Sequence, residues 1–226
     1  MLKAVIFDMD GVVIDSNPFH RIAWERFLAK KGIPVNDDLF NSVIFGTTGD
    51  QALRILLGKD LPDEQINLFA NEIDAEYRET IGNSNSFIPI EGLPEFLELL
   101  KNSNISLALA TSAPVENIDL VLTGLKLQDF FGVIIGKSQV TNGKPHPEVY
   151  LTAMDMLGVQ QNECLVFEDS LMGVLAAVNA GIKTIGITTT EPAEKLLKAG
   201  AVTAIRDFTM LTVEDMFAIL QGSNLS

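Results

Sequence analysis

The uninterrupted apolar stretch Ala4-Val5-Ile6-Phe7 runs directly into Asp8-Met9-Asp10-Gly11. A short apolar run of this kind reads as a strand buried on both faces, as in a parallel sheet. In open α/β sheets, ligands bind outside the carboxyl ends of such strands. Two acids there are costly to place unless a cation or a reaction uses them. Taken alone, the pair has a second explanation: a polar turn closing a core strand, with Asp10-Gly11 as turn chemistry. The rest of the chain has to decide.

After Asp15-Ser16-Asn17-Pro18 the pattern changes. Apolar residues recur at spacings of three and four, as in Ile22, Trp24, Phe27 and Leu28, and strand alternation is absent. Helices are expected from Phe19 to Lys31, Asp37 to Phe45, Asp50 to Leu57 and Pro62 to Ile81. This helical module reads as an insertion behind the first strand, left through the polar run Gly82-Asn83-Ser84-Asn85-Ser86. From Pro89 onward helices and strands alternate. Strands are expected at Ser106 to Ala110, Val133 to Ile135, Cys164 to Phe167 and Thr184 to Ile187. The helices between and after them begin at Gly92, Val115, Pro147, Ser170, Pro192 and Val213. Such alternation predicts a parallel sheet covered by helices on both faces.

Three further strand ends carry polar residues. Ala108-Leu109-Ala110 leads into Thr111-Ser112, where a hydroxyl and backbone N–H groups before a helix can hold phosphate oxygens. An ordinary helix cap accounts for the same pair. Lys144 sits between Gly143 and two prolines, Pro145 and Pro147, either as a held cation or as a solvated loop lysine. His146 beside it reads as loop polarity. Leu165-Val166-Phe167 ends in Glu168-Asp169-Ser170, a second acidic pair after a second buried strand. Asp8, the Asp10 backbone and Asp169 would offer a hard cation several oxygen ligands, the coordination Mg²⁺ prefers. Glu168 would ligate through water or orient the other ligands.

Composition narrows the functional classes. Lys and Arg total 16 against 30 Asp and Glu, a formal net charge of −14, which repels nucleic acid. An anionic substrate would therefore need a local cation, a lysine and helix N-termini. With 47% hydrophobic residues and a mean hydropathy of +0.24, the 226 residues can fill a large core. The single cysteine, Cys164, lies in an apolar run and reads as a packed thiol in a reducing compartment. The chain starts straight into a strand, and no apolar run is long enough to span a bilayer, so the cytoplasm is expected.

The segments Asp8-Met9-Asp10-Gly11-Val12, Thr111-Ser112, Lys144-Pro145 with Pro147-Glu148, and Glu168-Asp169-Ser170 resemble the motifs of the haloacid dehalogenase-like hydrolase superfamily. The likeness extends over the whole chain, because the helical insertion is similar to that family's four-helix cap. Phe19-His20 and Ala23-Trp24 are most similar to its β-phosphoglucomutase-type branch. The resemblance implies a Rossmann-like parallel-sheet core of residues 1–15 and 87–226, with a mobile helical cap at 16–86. It also implies Mg²⁺ and an aspartyl-phosphate intermediate. Asp8 would be the nucleophile and Asp10 the acid–base. Thr111, Ser112 and Lys144 would bind phosphate, while Asp8, Asp10, Glu168 and Asp169 would surround the metal. From its place at the start of the first cap helix, His20 reads either as a group that reaches Asp10 and tunes its protonation or as a capping or packing histidine. The loop residues Gly46, Thr47, Thr48 and Gly49 are expected to set the substrate.

Dehalogenase members of the superfamily lack the second aspartate, so Asp10 points to phosphoryl transfer. In the mutases a cap arginine aligns with Gly49 and a cap lysine with Ile73, neither of which can clamp a second phosphate. Arg54 or Arg78 could substitute, although both also read as exposed helix cations. The expected activity is therefore a phosphatase of a small metabolite, a sugar or polyol phosphate, with the mutase second. A catalytically silent phosphometabolite-binding regulator is the third reading. A monomer without nucleic-acid or membrane partners is expected.

Overall fold

The computed structural model describes residues 1–44, 48–84 and 87–222. They fall into two compact units, residues 1–15 with 88–226 and residues 16–87.

The first unit is built on β1 (Ala4–Phe7), whose residues are all fully buried. Full burial requires cover on both faces and a strand on each edge, and β1 pairs in parallel with β2 (Ser106–Ala110) and with β4 (Cys164–Glu168). Adding β3 (Val133–Ile135), β5 (Lys183–Ile187) and β6 (Thr203–Ile205) gives a six-stranded parallel sheet of order β3-β2-β1-β4-β5-β6. This is the Rossmann-like α/β core that the alternating pattern predicts. The strand order reverses direction around β1, so the crevice for ligands opens at its carboxyl end.

Side-chain alternation divides the core. Phe7 and Phe167 stack at 5.1 Å on one face and meet Phe96 and Phe208 there. Ala4, Ile6, Ala108, Cys164 and Val166 face the other way, against helices α7 (Glu148–Leu157) and α8 (Leu171–Asn179). Each buried phenylalanine contributes about 1.5–3 kcal/mol of transfer free energy. Helices α5 (Leu93–Asn102), α6 (Val115–Leu125), α9 (Ala193–Ala199) and α10 (Val213–Gln221) complete the layers. β6 has no counterpart in the sequence-based expectation. It is a three-residue edge strand, only partly buried, and Thr203 interrupts the apolar residues around it.

The second unit is helical. α1 (Asn17–Lys30) packs against α4 (Asp63–Gly82), with Phe27 and Phe69 edge to face at 5.6 Å. Glu76 of α4 accepts from Lys30 and pairs with Arg26 at 3.6 Å, both on α1. The helix expected from Asp37 to Phe45 is instead α2 (Asp37–Leu39), followed by a π-helical turn at Phe40–Ile44. The Asn36 side chain caps its start, accepting from Leu39 N, and Phe40 and Ile44 are both buried. Phe45 lies outside the described residues. α3 (Gly49–Leu57) follows, and Arg54 ties its end to the start of α4 through Asp63 and the Leu61 carbonyl. Arg54 is thus engaged structurally. Among the described residues no helix is long and apolar enough to cross a membrane.

Candidate active site

Parallel pairing brings three strand ends side by side. Phe7 is in register with Leu109 and with Phe167, so the residues that follow each strand converge. Asp8 N donates to the Phe167 carbonyl at 3.0 Å, extending the β1–β4 ladder by one step. The chain then folds back, with the N–H groups of Val12, Val13 and Ile14 donating to the Met9 carbonyl. Met9, Val12, Val13 and Ile14 are wholly buried beneath this turn, while Asp10 stays half-buried above it. The apolar residues thus anchor the turn and leave the acids at the strand edge.

The ligand atoms of Asp8, Glu168 and Asp169, all buried, lie within 4.8 Å of one another. Lys144 reaches into this group. Its Nζ donates to Asp8 Oδ1 at 2.7 Å, to Glu168 Oε1 at 2.5 Å and to the Ala110 carbonyl at 3.4 Å. Lys144 is buried although Asn142, Gly143, Pro145 and His146 around it are exposed. Its loop is closed by Glu148, whose carboxylate accepts from Thr141 N at 2.7 Å and from Asn142 N at 3.0 Å. Asn179 Nδ2 donates to the Pro145 carbonyl at 3.0 Å as a second tie. His146 Nδ1 accepts from Glu148 N at 3.3 Å, a local loop contact.

Glu168 is heavily engaged. Oε1 accepts from Lys144 and from Tyr150 Oη at 2.7 Å. Oε2 accepts from Asp169 N at 3.0 Å, Ser170 N at 3.2 Å and Ser170 Oγ at 3.1 Å. Helix α8 can lie this close because residue 173 is glycine: a Cβ there would fall 1.7 Å from Glu168 Oε1. Asp169 Oδ2 accepts from Thr190 Oγ1, and Thr189 Oγ1 donates to the Gly11 carbonyl at 2.6 Å. The loop after β5 therefore ties both acidic turns. Tyr150, Thr189 and Thr190 are absent from the sequence-based site, yet Thr188-Thr189-Thr190 after Ile187 is one more polar strand end.

The cluster carries more negative than positive charge. Burial pushes the Asp8 carboxyl up to about 7; Lys144 opposes the shift, and Glu168 and Asp10 add to it. Burial also drives Asp169 well above the carboxylate range, reinforced by Glu168 and Asp8. Lys144 is held above its ordinary value because the attraction of Asp8 and Glu168 exceeds the cost of its burial. Two carboxyls that resist ionisation beside one ammonium fit a site that takes a hard cation. Cys164 is buried and free, its thiol pushed up to about 12, and so is inert packing.

The other expected residues are placed as follows. Thr111 is buried just past β2, and its Oγ1 accepts from Ala113 N at 3.2 Å. Ser112 is exposed. Within the helical unit, His20 stacks on Tyr77 at 4.2 Å. Thr48 caps α3, accepting from Gln51 N at 3.3 Å in a capping box, and Gly49 is the first residue of that helix. Gly46 and Thr47 lie outside the described residues.

Residues 5–187 match the family model described as haloacid dehalogenase-like hydrolase. The phosphorylated carbohydrates phosphatase of Thermotoga maritima is 36% identical over 214 residues, covering 94% of this chain and 98% of the relative. β-Phosphoglucomutase of Bacillus subtilis is 30% identical over 218 residues, covering 94% and 93%. Among solved structures, a HAD hydrolase of family IA, variant 3, from Entamoeba histolytica superposes with a TM-score of 0.91. It is 31% identical, and the match covers 98% of this chain and 100% of that one. The chain belongs to the haloacid dehalogenase-like hydrolase family.

Proposed function

We propose that this protein is a Mg²⁺-dependent phosphatase of a small phosphorylated metabolite, a sugar or polyol phosphate, acting through an aspartyl-phosphate on Asp8. The observation that carries the proposal is the contact of Lys144 Nζ with Asp8 Oδ1 at 2.7 Å, inside a buried group of three carboxylates. A nucleophile paired with an ammonium is suited to receive a dianionic phosphoryl group. The phosphatase name and near-complete coverage of the Thermotoga relative support the carbohydrate class.

Asp8 and Asp169, with the Asp10 backbone carbonyl, would hold Mg²⁺. Glu168 would hold Lys144, since five donors already engage its two oxygens. Bound there, Mg²⁺ would supply positive charge for the phosphoryl oxygens and the Asp8 carboxylate. In the first displacement an Asp8 oxygen bonds to phosphorus as the ester P–O bond breaks. Protonated Asp10 gives its proton to the leaving oxygen. In the second, Asp10 takes a proton from water, whose oxygen bonds to phosphorus as the Asp8–phosphorus linkage breaks. Phosphate is released and Asp10 is protonated again. Lys144 offsets the charge of the phosphoryl oxygens throughout, and Thr111 and Ser112 offer hydroxyl and N–H donors to them.

The experiment is phosphate release from p-nitrophenyl phosphate and from a panel of sugar, polyol and nucleoside phosphates, with Mg²⁺ and with EDTA. Release that EDTA abolishes is expected, with sugar or polyol phosphates preferred. No release from any member, or release indifferent to EDTA, overturns the proposal.

A further inference from the structure

Tyr150 stands in the first turn of α7 with no part of it exposed to solvent. It belongs to the same hydrophobic cluster as Val149, Ala153, Ala176 and Ala177, whose side chains offer a phenol nothing to bond. A buried phenolic oxygen needs a partner, and this one finds Glu168. Tyr150 Oη donates at 2.7 Å to Oε1, the same oxygen that accepts from Lys144 Nζ at 2.5 Å. The face of the ring also lies beneath the ammonium, with Nζ 5.0 Å from the centroid. One side chain therefore touches both the lysine and the carboxylate that holds it.

We propose that Tyr150 is the positioning residue for Lys144, keeping the ammonium aimed at Asp8 while a phosphoryl group is taken up and released. This rests on the reading of Lys144 as the cation that meets the phosphoryl oxygens. A lysine side chain is a flexible stem carrying a point charge, so its direction is set by what surrounds the ammonium. In the resting site both Asp8 and Glu168 attract Nζ, at 2.7 Å and 2.5 Å. Once an Asp8 oxygen bonds to phosphorus, that carboxylate loses charge and Glu168 is left with the stronger pull. An oxygen already accepting from a phenol competes less strongly for an ammonium. The ring face adds attraction at a fixed place. Burial and the Glu168 charge hold the phenol well above its ordinary ionisation range, so it remains a donor.

The test compares the wild type with Tyr150→Phe, which removes the hydroxyl and keeps the ring, and Tyr150→Met, which removes both. Each is measured for turnover of p-nitrophenyl phosphate, for calorimetric binding of inorganic phosphate with Mg²⁺, and for melting temperature. Tyr150→Phe is expected to lose about tenfold in kcat and about fivefold in phosphate affinity, the scale of one hydrogen bond. Its melting temperature should stay within about 3 °C, because the packing volume is retained. Tyr150→Met should bind phosphate more weakly still. Tyr150→Phe within twofold of the wild type on both readouts overturns the proposal. So does a lowered melting temperature with unchanged phosphate affinity, which marks a packing role alone. A wild type that neither releases nor binds phosphate overturns the phosphatase reading and this inference with it. An active wild type beside an unchanged Tyr150→Phe overturns the inference alone.

Discussion

A Cβ placed on Gly11 would lie 1.8 Å from Oδ2 of Asp169, and the Gly11 backbone has φ of +74°. Residue 11 is therefore glycine for two independent reasons, a left-handed conformation and the approach of an acid from the neighbouring strand end. Gly11→Ala should cost about 1–2 kcal/mol for the backbone alone. It should also push Asp169 away from Asp8. The expected result is a folded protein with a melting temperature several degrees lower and a Mg²⁺ requirement raised at least about tenfold. A Mg²⁺ titration that superimposes on the wild type would show that Asp169 does not hold the ion.

The raised carboxyls make stability depend on pH in an unusual direction. With Asp8 pushed up to about 7 from 3.8, and Asp169 well above 3.8, the folded state binds more protons than the unfolded chain in that window. Their contribution is complete below the unfolded value and is lost as pH rises through the folded one. Carboxylates shifted the opposite way, Glu76, Glu148, Glu163, Asp207 and Asp215, contribute stability that is lost only as pH falls below about 4.5. Metal-free protein should therefore melt at a lower temperature at pH 8 than at pH 5.5. Added Mg²⁺ should raise the melting temperature more at pH 8. Denaturation scans at the two pH values, with EDTA and with Mg²⁺, check this. A metal-free protein more stable at pH 8 would contradict the buried-charge account.

For Asp8→Asn two effects should separate. Turnover should fall at least about a hundredfold, because the amide cannot form the acyl-phosphate bond. Metal-free stability at pH 8 should hold or increase, since ionised Asp8 is disfavoured in the folded state there and Glu168 still pairs with Lys144. A folded variant that keeps a tenth of the activity would remove Asp8 from the nucleophile's place.

How far the sequence reaches can be judged on particular residues. β1, β2 and β4 are legible because burial on both faces demands unbroken apolar runs. β6 is not, since an edge strand buried on one side needs no such run. The convergence of Asp8 with Glu168 and Asp169 follows from parallel pairing of adjacent strands, which the alternation of elements implies. The burial of Lys144 does not follow from its neighbours, which are exposed. It depends on Glu148 drawing Thr141 and Asn142 together, a loop closure with no periodic signature. Tyr150 meets Glu168 only after α7 has packed on the sheet, so no spacing in the chain announces it.

That loop closure is itself open to test. Glu148→Gln keeps the volume and loses the charge that accepts from two backbone N–H groups and from Asn142 Nδ2 at 2.8 Å. Because the carboxylate is partly exposed, the loss of stability should be small. Activity should suffer more, with kcat/KM down about tenfold as Lys144 loses its fixed aim. If kcat/KM is unchanged while stability falls, the prolines and Asn179 suffice to hold the loop.

The proposed preference for hydrolysis over isomerisation rests on the cations this chain carries where the mutases are expected to clamp a second phosphate. A bisphosphorylated sugar that binds both ways round carries a second dianion, distant from Mg²⁺ and Lys144. Only local cations can offset its desolvation, and a bidentate arginine is the usual device. At the position where the mutases are expected to carry that arginine, this chain has Gly49, the first residue of α3. Thr48 beside it already caps that helix. Arg54 is engaged with Asp63 and the Leu61 carbonyl, and Ile73 is buried. A monophosphate with an uncharged distal end should therefore suit the protein better than a bisphosphate. Supplied with β-glucose 1-phosphate and catalytic glucose 1,6-bisphosphate, it should release phosphate without forming glucose 6-phosphate. Glucose 6-phosphate appearing faster than phosphate would falsify the phosphatase reading in favour of the mutase. Among the described residues a Cβ at residue 49 meets no atom within 4 Å, so Gly49→Arg should fold as the wild type does. It should bind glucose 1,6-bisphosphate at least about tenfold more tightly, the value of one charge-assisted hydrogen bond. Unchanged affinity in a folded Gly49→Arg would overturn the alignment of Gly49 with the mutase arginine.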